Sequence, residues 1–549
     1  MQKNICLAQN LKELKYILKN LSNNVSVIPL NLEVYLYVIV NKIDFINPSN
    51  YLDTKFHKDS LINGQKNLKK IVFTKKIDSN VKDAVIVFLR FRYYSYCFLE
   101  KILKNILKKK TNKIIISGWQ NRNHIKIDEY IVSDIVNQIV PKSYIITISK
   151  EKKQKLIESL NYEYGIQNFP EDKKNKLKIL LNNIGYNFQR LIILNTLSKI
   201  NFYVPIFAKL SFISKIKFFI FKVHPIYIKK KYKKKNIKFN SLLKVNNKSK
   251  IIKYFANKAN LFFEDVFKKN ESIKDILKKL KFNLVLSNIS IAPYSSIACK
   301  EKTKSICIPH GTIVESFNKY DKIYKNNISQ SVFRGDSKYF ALQSMLTKRA
   351  CKTQNVKGKF LQTGNLLFAF KKKKSGYKKD IILASTQKDF TNMQMLGVEM
   401  FYEVYENFIF FNEIAKKSKF NYAVKLHPSM FKNIPTLQSL FPNLIFKKEK
   451  IELLLKNSLV LVSFSSTVIE DALYSSVPVI LFDPHSRYQH CDAEKKINIK
   501  NKAIYYLDKK KFFLKLLNTI EDSNNFNFKK YIFESDPYNN FKKLLKKTL

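Results

Sequence analysis

The sequence predicts an α/β protein with two Rossmann-like lobes whose parallel sheets face a central cleft. Three observations carry that prediction. Short apolar runs, of the kind a strand buried on both faces needs, recur between longer helical stretches. The clearest unit, residues 457–484 (NSLVLVSFSSTVIEDALYSSVPVILFDP), reads as strand, tight turn, helix, loop and strand. A charged segment with Ser and Gly but no apolar periodicity, residues 371–379, separates an N-terminal lobe over 1–370 from a C-terminal lobe over 380–549.

Composition sets the bounds. A chain of 549 residues, 45% of them hydrophobic, is long enough for two or more domains with real cores. The formal net charge is +58, built from 93 Lys and only seven Arg. Proteins that read nucleic acid rely on Arg for bidentate contacts, and no nucleic-acid motif is present, so nucleic acid is not an expected partner. Asn, Ile, Tyr and Phe are also abundant, so the Lys excess reads as AT-rich compositional drift on solvated faces. Attraction to anionic lipid or phosphorylated substrates is compatible with it. The six Cys (Cys6, Cys97, Cys299, Cys307, Cys351, Cys491) include no Cys-x-x-Cys pair, which speaks for a reducing compartment and against a zinc or disulfide framework. The N-terminus lacks the apolar core of a signal peptide, and no apolar run is long enough to span a membrane. The expected location is the cytoplasm, with the inner face of the membrane as a variant of it.

In chain order, residues 1–24 read as an amphipathic helix, and 25–46 as a strand, helix and strand that open a doubly wound sheet. Residues 83–89 (DAVIVFL) read as a buried strand, placing Arg90 and Arg92 at its carboxyl end, where open α/β sheets bind ligands. A helix, a strand at 113–116 and a loop holding the only Trp, Trp119, follow. Residues 123–200 read as mostly helical, the start of a helical and basic insertion over about 123–280. Within it, 202–240 mixes Phe, Ile and Tyr with Lys. It reads as a core helix followed by a solvated basic loop; the alternative is an interfacial amphipathic segment in peripheral contact with an anionic membrane. Residues 241–280 read as helix.

Chemistry-bearing residues gather at predicted strand ends. Strand 305–308 runs into Pro309-His310-Gly311-Thr312, so His310 sits on a turn whose glycine lets backbone approach a ligand. Strand 381–384 leads to Ser385-Thr386-Gln387, and strand 422–426 delivers Lys425 and His427-Pro428. Strand 459–462 leads to Ser463, Ser465, Ser466 and Thr467, with Glu470 and Asp471 in the first turns of the next helix. A hydroxyl-rich turn at a helix start suits a phosphate, and the same residues also serve as ordinary caps. A histidine titrating near neutrality can take the proton of an acceptor hydroxyl. His485, Arg487 and His490, past strand 477–482, read as a solvated loop, the alternative being contact with the acceptor or nucleotide. No Asp-x-Asp motif lies beside a strand end, so no required divalent ion is expected.

At His310-Gly311-Thr312, Lys425-Leu426-His427-Pro428 and Ser465-Ser466-Thr467 with Glu470, the chain resembles bacterial surface-polysaccharide transferases of the GT-B fold. These include the CDP-glycerol glycerophosphotransferase (teichoic-acid polymerase) family and related capsule enzymes. The resemblance spans about 282–500. It implies a transferase that moves a sugar or polyol phosphate from a nucleotide-activated donor to a polysaccharide or lipid-linked acceptor. The donor is then a substrate, and no separate cofactor is expected. The resemblance implies catalytic roles for His310 and His427, and a donor site lined by Gly311, Thr312, Lys425, Ser465, Ser466, Thr467 and Glu470. Where the teichoic-acid group has Asp-Tyr-Ser-Ser, this chain has Ser463-Phe464-Ser465-Ser466, and a Trp-Arg pair is missing near Ser385-Thr386-Gln387. Both departures favour a sugar nucleotide over CDP-glycerol. Two other readings stay open: a sugar-nucleotide epimerase of the same two-lobe fold, and a non-catalytic scaffold of the same pathway.

Overall fold

The computed structural model describes residues 3–21, 24–68, 71–73, 79–107, 113–119, 131–148, 162–167, 176–181, 192, 200–207, 209–232, 243–245, 250–288, 303–309, 314–332, 337–353, 358–366, 380–387, 396–534 and 536–548. His310, Gly311, Thr312 and the expected linker 371–379 lie outside them.

Among the described residues, the strands form three larger sheets. The first is parallel and joins β1 (Asn4–Ala8), β2 (Val25–Pro29), β4 (Ile114–Ile116) and β5 (Ile145–Thr147) in the order β2-β1-β4-β5. A small antiparallel pair, β3 (Ile71–Phe73) with β10 (Leu243–Val245), stands apart. The second large sheet comprises β6 (Tyr162–Ile166), β7 (Leu177–Leu181), β8 (Ile200–Ile206), β9 (Val223–Tyr232), β11 (Leu284–Ser287), β12 (Lys304–Cys307), β13 (Tyr339–Leu342) and β14 (Lys359–Gln362). Its order is β14-β13-β12-β11-β7-β8-β9-β6, with only β6 antiparallel. The third is wholly parallel: β15 (Asp380–Ala384), β16 (Asn421–Lys425), β17 (Leu444–Lys447), β18 (Ser458–Ser463), β19 (Val479–Phe482) and β20 (Ile504–Leu507), in the order β17-β16-β15-β18-β19-β20. The chain is thus an α/β protein with parallel sheets in separate lobes. Strands such as β11, β13 and β19 are buried along their whole length, as parallel strands covered by helices on both faces must be.

Several expectations need correction. Residues 1–24 do not form one helix: Asn4–Ala8 is the strand β1, buried because it pairs on both sides, and the helix is Leu11–Lys19. The run at 83–89 is not a strand but part of the helix Ser79–Leu107. Burial of Val85, Leu89, Tyr93 and Cys97 at a spacing of four shows why. Arg90 and Arg92 therefore sit within a helix rather than at a strand end. The described residues of 123–200 hold the helix Ile131–Ile139 together with the unexpected strands β5, β6 and β7, and those of 202–240 form not a core helix but β8, the helix Phe212–Ile220 and β9, with 233–240 outside the described residues. In β9 the run Lys229-Lys230-Lys231 near the strand's end gave it the look of a basic loop. Trp119 packs on Tyr16, ring centres 5.0 Å apart.

The third sheet's core is aromatic. The helix Phe401–Lys416 lays Phe411 against Phe482 and Phe513, with ring centres 5.2 Å apart in both pairs. Its other flank meets the first sheet's lobe, where Tyr35 lies 5.4 Å from Phe401 and 5.3 Å from Tyr405. No described helix is long and apolar enough to cross a membrane. Phe411→Ala removes a fully enclosed ring and should lower stability by about 3–5 kcal/mol, read by urea unfolding followed with circular dichroism. A loss under about 1 kcal/mol would contradict this account of the core.

Candidate functional site

The third sheet changes winding direction once. From β15 the chain builds β16 and β17 on one side, then returns to the other side of β15 with β18, β19 and β20. The crevice at the carboxyl ends of β15 and β18 is therefore a topological switch point, where the diverging loops of an open parallel sheet leave room for a ligand. Ala384 is in register with Lys425 on one side and Ser463 on the other. Ser385-Thr386-Gln387, Leu426-His427 and Phe464-Ser465-Ser466-Thr467 consequently leave the sheet side by side.

Each loop is fixed locally. Buried Ser463 donates from Oγ to the Ala384 carbonyl at 3.1 Å, tying the two switch-point strands together. Ser466 Oγ accepts from the Val468 amide at 3.3 Å, and Thr467, exposed and already helical (φ −63, ψ −20), precedes the helix Val468–Tyr474. That helix has only seven residues, so its dipole is short, and an anion here would depend on loop amides and side chains. His427 is exposed; its Nδ1 accepts from the Ser429 amide at 3.3 Å and lies 2.8 Å from Ser429 Oγ. Half-buried Lys425 holds its Nζ 4.5 Å from the centre of the Phe431 ring. Burial lowers its pKa from the ordinary lysine value, against the opposing pull of Glu449 and Glu452. Thr386 donates to the Glu399 carboxylate from its amide at 2.8 Å and its hydroxyl at 3.1 Å. Burial still pushes Glu399 up to about 7.

The two expected acids face the other lobe. Glu470 is buried and accepts from the Ser344 hydroxyl. Asp471, also buried, accepts from Asn365 Nδ2 at 3.2 Å. Ser344 and Asn365 follow β13 and β14, and Gly364 (φ +74) supplies the left-handed turn before Asn365. Tyr474 on the same helix donates to the Gln343 carbonyl, and Gln343 Nε2 donates to the Pro309 carbonyl at 2.6 Å. The helix after the serine-rich turn is thereby docked on the carboxyl edge of the second sheet, beside the residue that precedes His310. Burial, then the neighbouring Glu470 charge, pushes Asp471 up to about 8.

The loop after β19 corrects another expectation. His485 is exposed, but Arg487 and His490 are buried rather than solvated. Arg487 donates to the carbonyls of Leu396 (3.2 Å) and Val398 (3.1 Å) and to the Glu403 carboxylate (2.5 Å). His490 Nδ1 lies 3.2 Å from Ser465 Oγ. Burial and the Lys325 charge push His490 down to about 3, so it meets the serine-rich turn as a neutral ring. Lys325, on the helix Lys319–Val332, was not singled out in the sequence. Its Nζ is buried and donates to the carbonyls of Glu315 (2.5 Å), Gln489 (3.1 Å) and His490 (3.1 Å), and burial pulls its pKa down to about 8. One Lys among 93 carries no local signal of such a position. Among the described residues, no group of three or more His, Cys, Asp or Glu is placed to hold a metal ion.

No family model and no curated protein matches the sequence. Solved structures do match the chain. UDP-GlcNAc 2-epimerase of Methanocaldococcus jannaschii, in complex with UDP-GlcNAc and UDP, is 16% identical with a TM-score of 0.41, over 68% of this chain and 99% of that one. A variant of the wall teichoic acid polymerase TagF is 11% identical with a TM-score of 0.36, over 68% and 89%. The Anabaena protein HepE, in complex with UDP and glucose, is 11% identical with a TM-score of 0.34, over 68% and 95%.

The raised pKa of Asp471 gives the lobe contact a pH dependence. Between its ordinary value of 3.8 and about 8, the folded chain binds a proton that the unfolded chain releases. The contribution of Asp471 to stability is therefore full below the lower value and falls as pH rises to the upper one. Asp471→Asn should unfold at a higher temperature than wild type near pH 8 and at the same temperature near pH 4, flattening the slope by at most about 1.4 kcal/mol per pH unit. Coincident melting curves at pH 8 would contradict this.

Proposed function

We propose that the chain is a GT-B glycosyltransferase that moves a sugar, or a polyol phosphate, from a nucleotide-activated donor to a surface polysaccharide or lipid-linked acceptor without a required divalent ion. The observation that supports this reading is the convergence at the β15–β18 switch point. The segments carrying Lys425 and His427, and Ser465, Ser466 and Thr467, leave neighbouring strands on either side of β15, and the helix after the serine-rich turn docks beside Pro309 of the other lobe.

In this reading the donor's diphosphate lies over the switch point. Lys425 and the hydroxyls of Ser465, Ser466 and Thr467 neutralise it as the bond between the transferred group and the leaving phosphate breaks. His427, oriented by Ser429, donates to a phosphate oxygen. His310, which with Gly311 and Thr312 follows Pro309 in sequence, takes the acceptor hydroxyl's proton as the new bond to oxygen forms. Glu470 and Asp471 hold the two lobes in the relation that lets both halves of the reaction meet. Neutral His490 keeps the Ser465 hydroxyl in place without adding charge.

A thermal-shift series with CMP, CDP, UDP and GDP tests the reading. One nucleotide should stabilise the protein, by about 2.7 kcal/mol at a hundredfold excess over its Kd. His427→Ala and Ser466→Ala should each lose most of that shift while keeping the melting temperature of the ligand-free protein. No shift with any nucleotide contradicts the reading. Conversion of a UDP-sugar to its epimer with no acceptor present contradicts it in favour of an epimerase.

A further inference from the structure

The helix Phe212–Ile220, between β8 and β9, turns its large apolar side chains outward. Phe212 is 77% exposed, Ile213 67%, Ile216 41%, Phe219 84% and Ile220 63%, whereas Phe218 alone is buried, against the core of the second sheet. Elsewhere among the described residues, exposed large apolar side chains occur singly, which any soluble surface tolerates. Here they share one face. At about 100° per residue the five fall within an arc of roughly 120°, with Phe218 on the opposite side. The helix is well formed at its start: Ser211 caps it by accepting from the Ser214 amide.

The charges around that face have one sign. Lys215 and Lys217 are exposed on either edge of the apolar arc, and exposed Lys209 and Lys222 flank the helix ends. No Asp or Glu occurs anywhere between Asp172 and Glu264. A partner for this face must accept inserted Phe and Ile side chains and present negative charge around them. An acidic headgroup layer over acyl chains does both. A second copy of the chain does not, because a twofold contact through the same face would set Lys against Lys.

We propose that this face docks the protein on an anionic lipid bilayer. Phe212, Ile213, Ile216, Phe219 and Ile220 enter the boundary between headgroups and acyl chains, and Lys209, Lys215, Lys217 and Lys222 lie over lipid phosphates. The long lysine side chains can reach the headgroup level while their methylenes stay with the apolar face.

Vesicle flotation of the full chain tests this with two compositions: phosphatidylcholine alone, and phosphatidylcholine with about a third phosphatidylglycerol. Wild type should float with the anionic vesicles and not with the neutral ones. Phe212→Asp with Phe219→Asp should reduce flotation by roughly tenfold or more. Lys495→Glu with Lys496→Glu, exposed between β19 and β20, changes the net charge by more and should float as wild type does. Both pairs are exposed, so the melting temperature should not move. Flotation of the Phe212→Asp, Phe219→Asp protein at the wild-type level overturns the proposal. An equal loss in the Lys495→Glu, Lys496→Glu protein overturns it too, since binding would then follow overall charge. So does a drop in the wild-type sedimentation coefficient on introducing the Phe212 and Phe219 substitutions, which would make the face a contact between copies of the chain.

Discussion

Two adjacent carboxyl groups buried between lobes set the geometry of the candidate site. Glu470 and Asp471 sit on the helix that follows the serine-rich turn, and each is hydrogen-bonded to a residue at the carboxyl edge of the second sheet, Ser344 and Asn365. Buried carboxyls are costly without partners, so this contact is specific: it persists only where those donors meet them. Because the helix is short, fixing its acids also fixes the turn before it. The proposed donor site and the loop that leads to His310 are thus held together by one contact.

A second tie lies beside the first. Lys325 reaches across to the carbonyls of Gln489 and His490, and burial, aided by the Lys325 charge, keeps His490 from protonating. A neutral His490 next to Ser465 gives the turn a fixed hydrogen-bond partner that does not compete for a phosphate's counter-charge. Arg487, which could have supplied such a charge, is occupied by Glu403 and two carbonyls behind Phe464. Lys425, at the end of β16 and in register with Ala384, is the described cation that the proposal assigns to the donor's phosphates. This division of labour between structural and available cations underlies the proposed roles.

Most of the third sheet was legible in the sequence because strands such as β15, β18 and β19 are continuous apolar runs closed by polar turns, as residues 457–484 illustrate; its edge strand β20 was not among the expected strands. The lobes before it were less so, for physical reasons that differ by segment. The helix Ser79–Leu107 contains a run of strand-like residues, and only burial at a spacing of four reveals its state. An apolar helix face reads alike whether it meets a core or a bilayer, so the exposure of the Phe212–Ile220 helix could not be inferred from periodicity. The partners that decide the site are distant in sequence: Ser344 with Glu470, Asn365 with Asp471, Lys325 with His490. No local pattern encodes such pairs, which is why Arg487 and His490 read as a solvated loop.

The central claim, that a nucleotide diphosphate binds over the β15–β18 switch point, is tested most directly by backbone amide exchange with and without UDP or CDP. The account predicts slowed exchange at 385–387, 426–429 and 464–468 with the bound nucleotide, and unchanged exchange in the first sheet. Protection confined to the first sheet, where β1 and β4 form a switch point of their own, would contradict it.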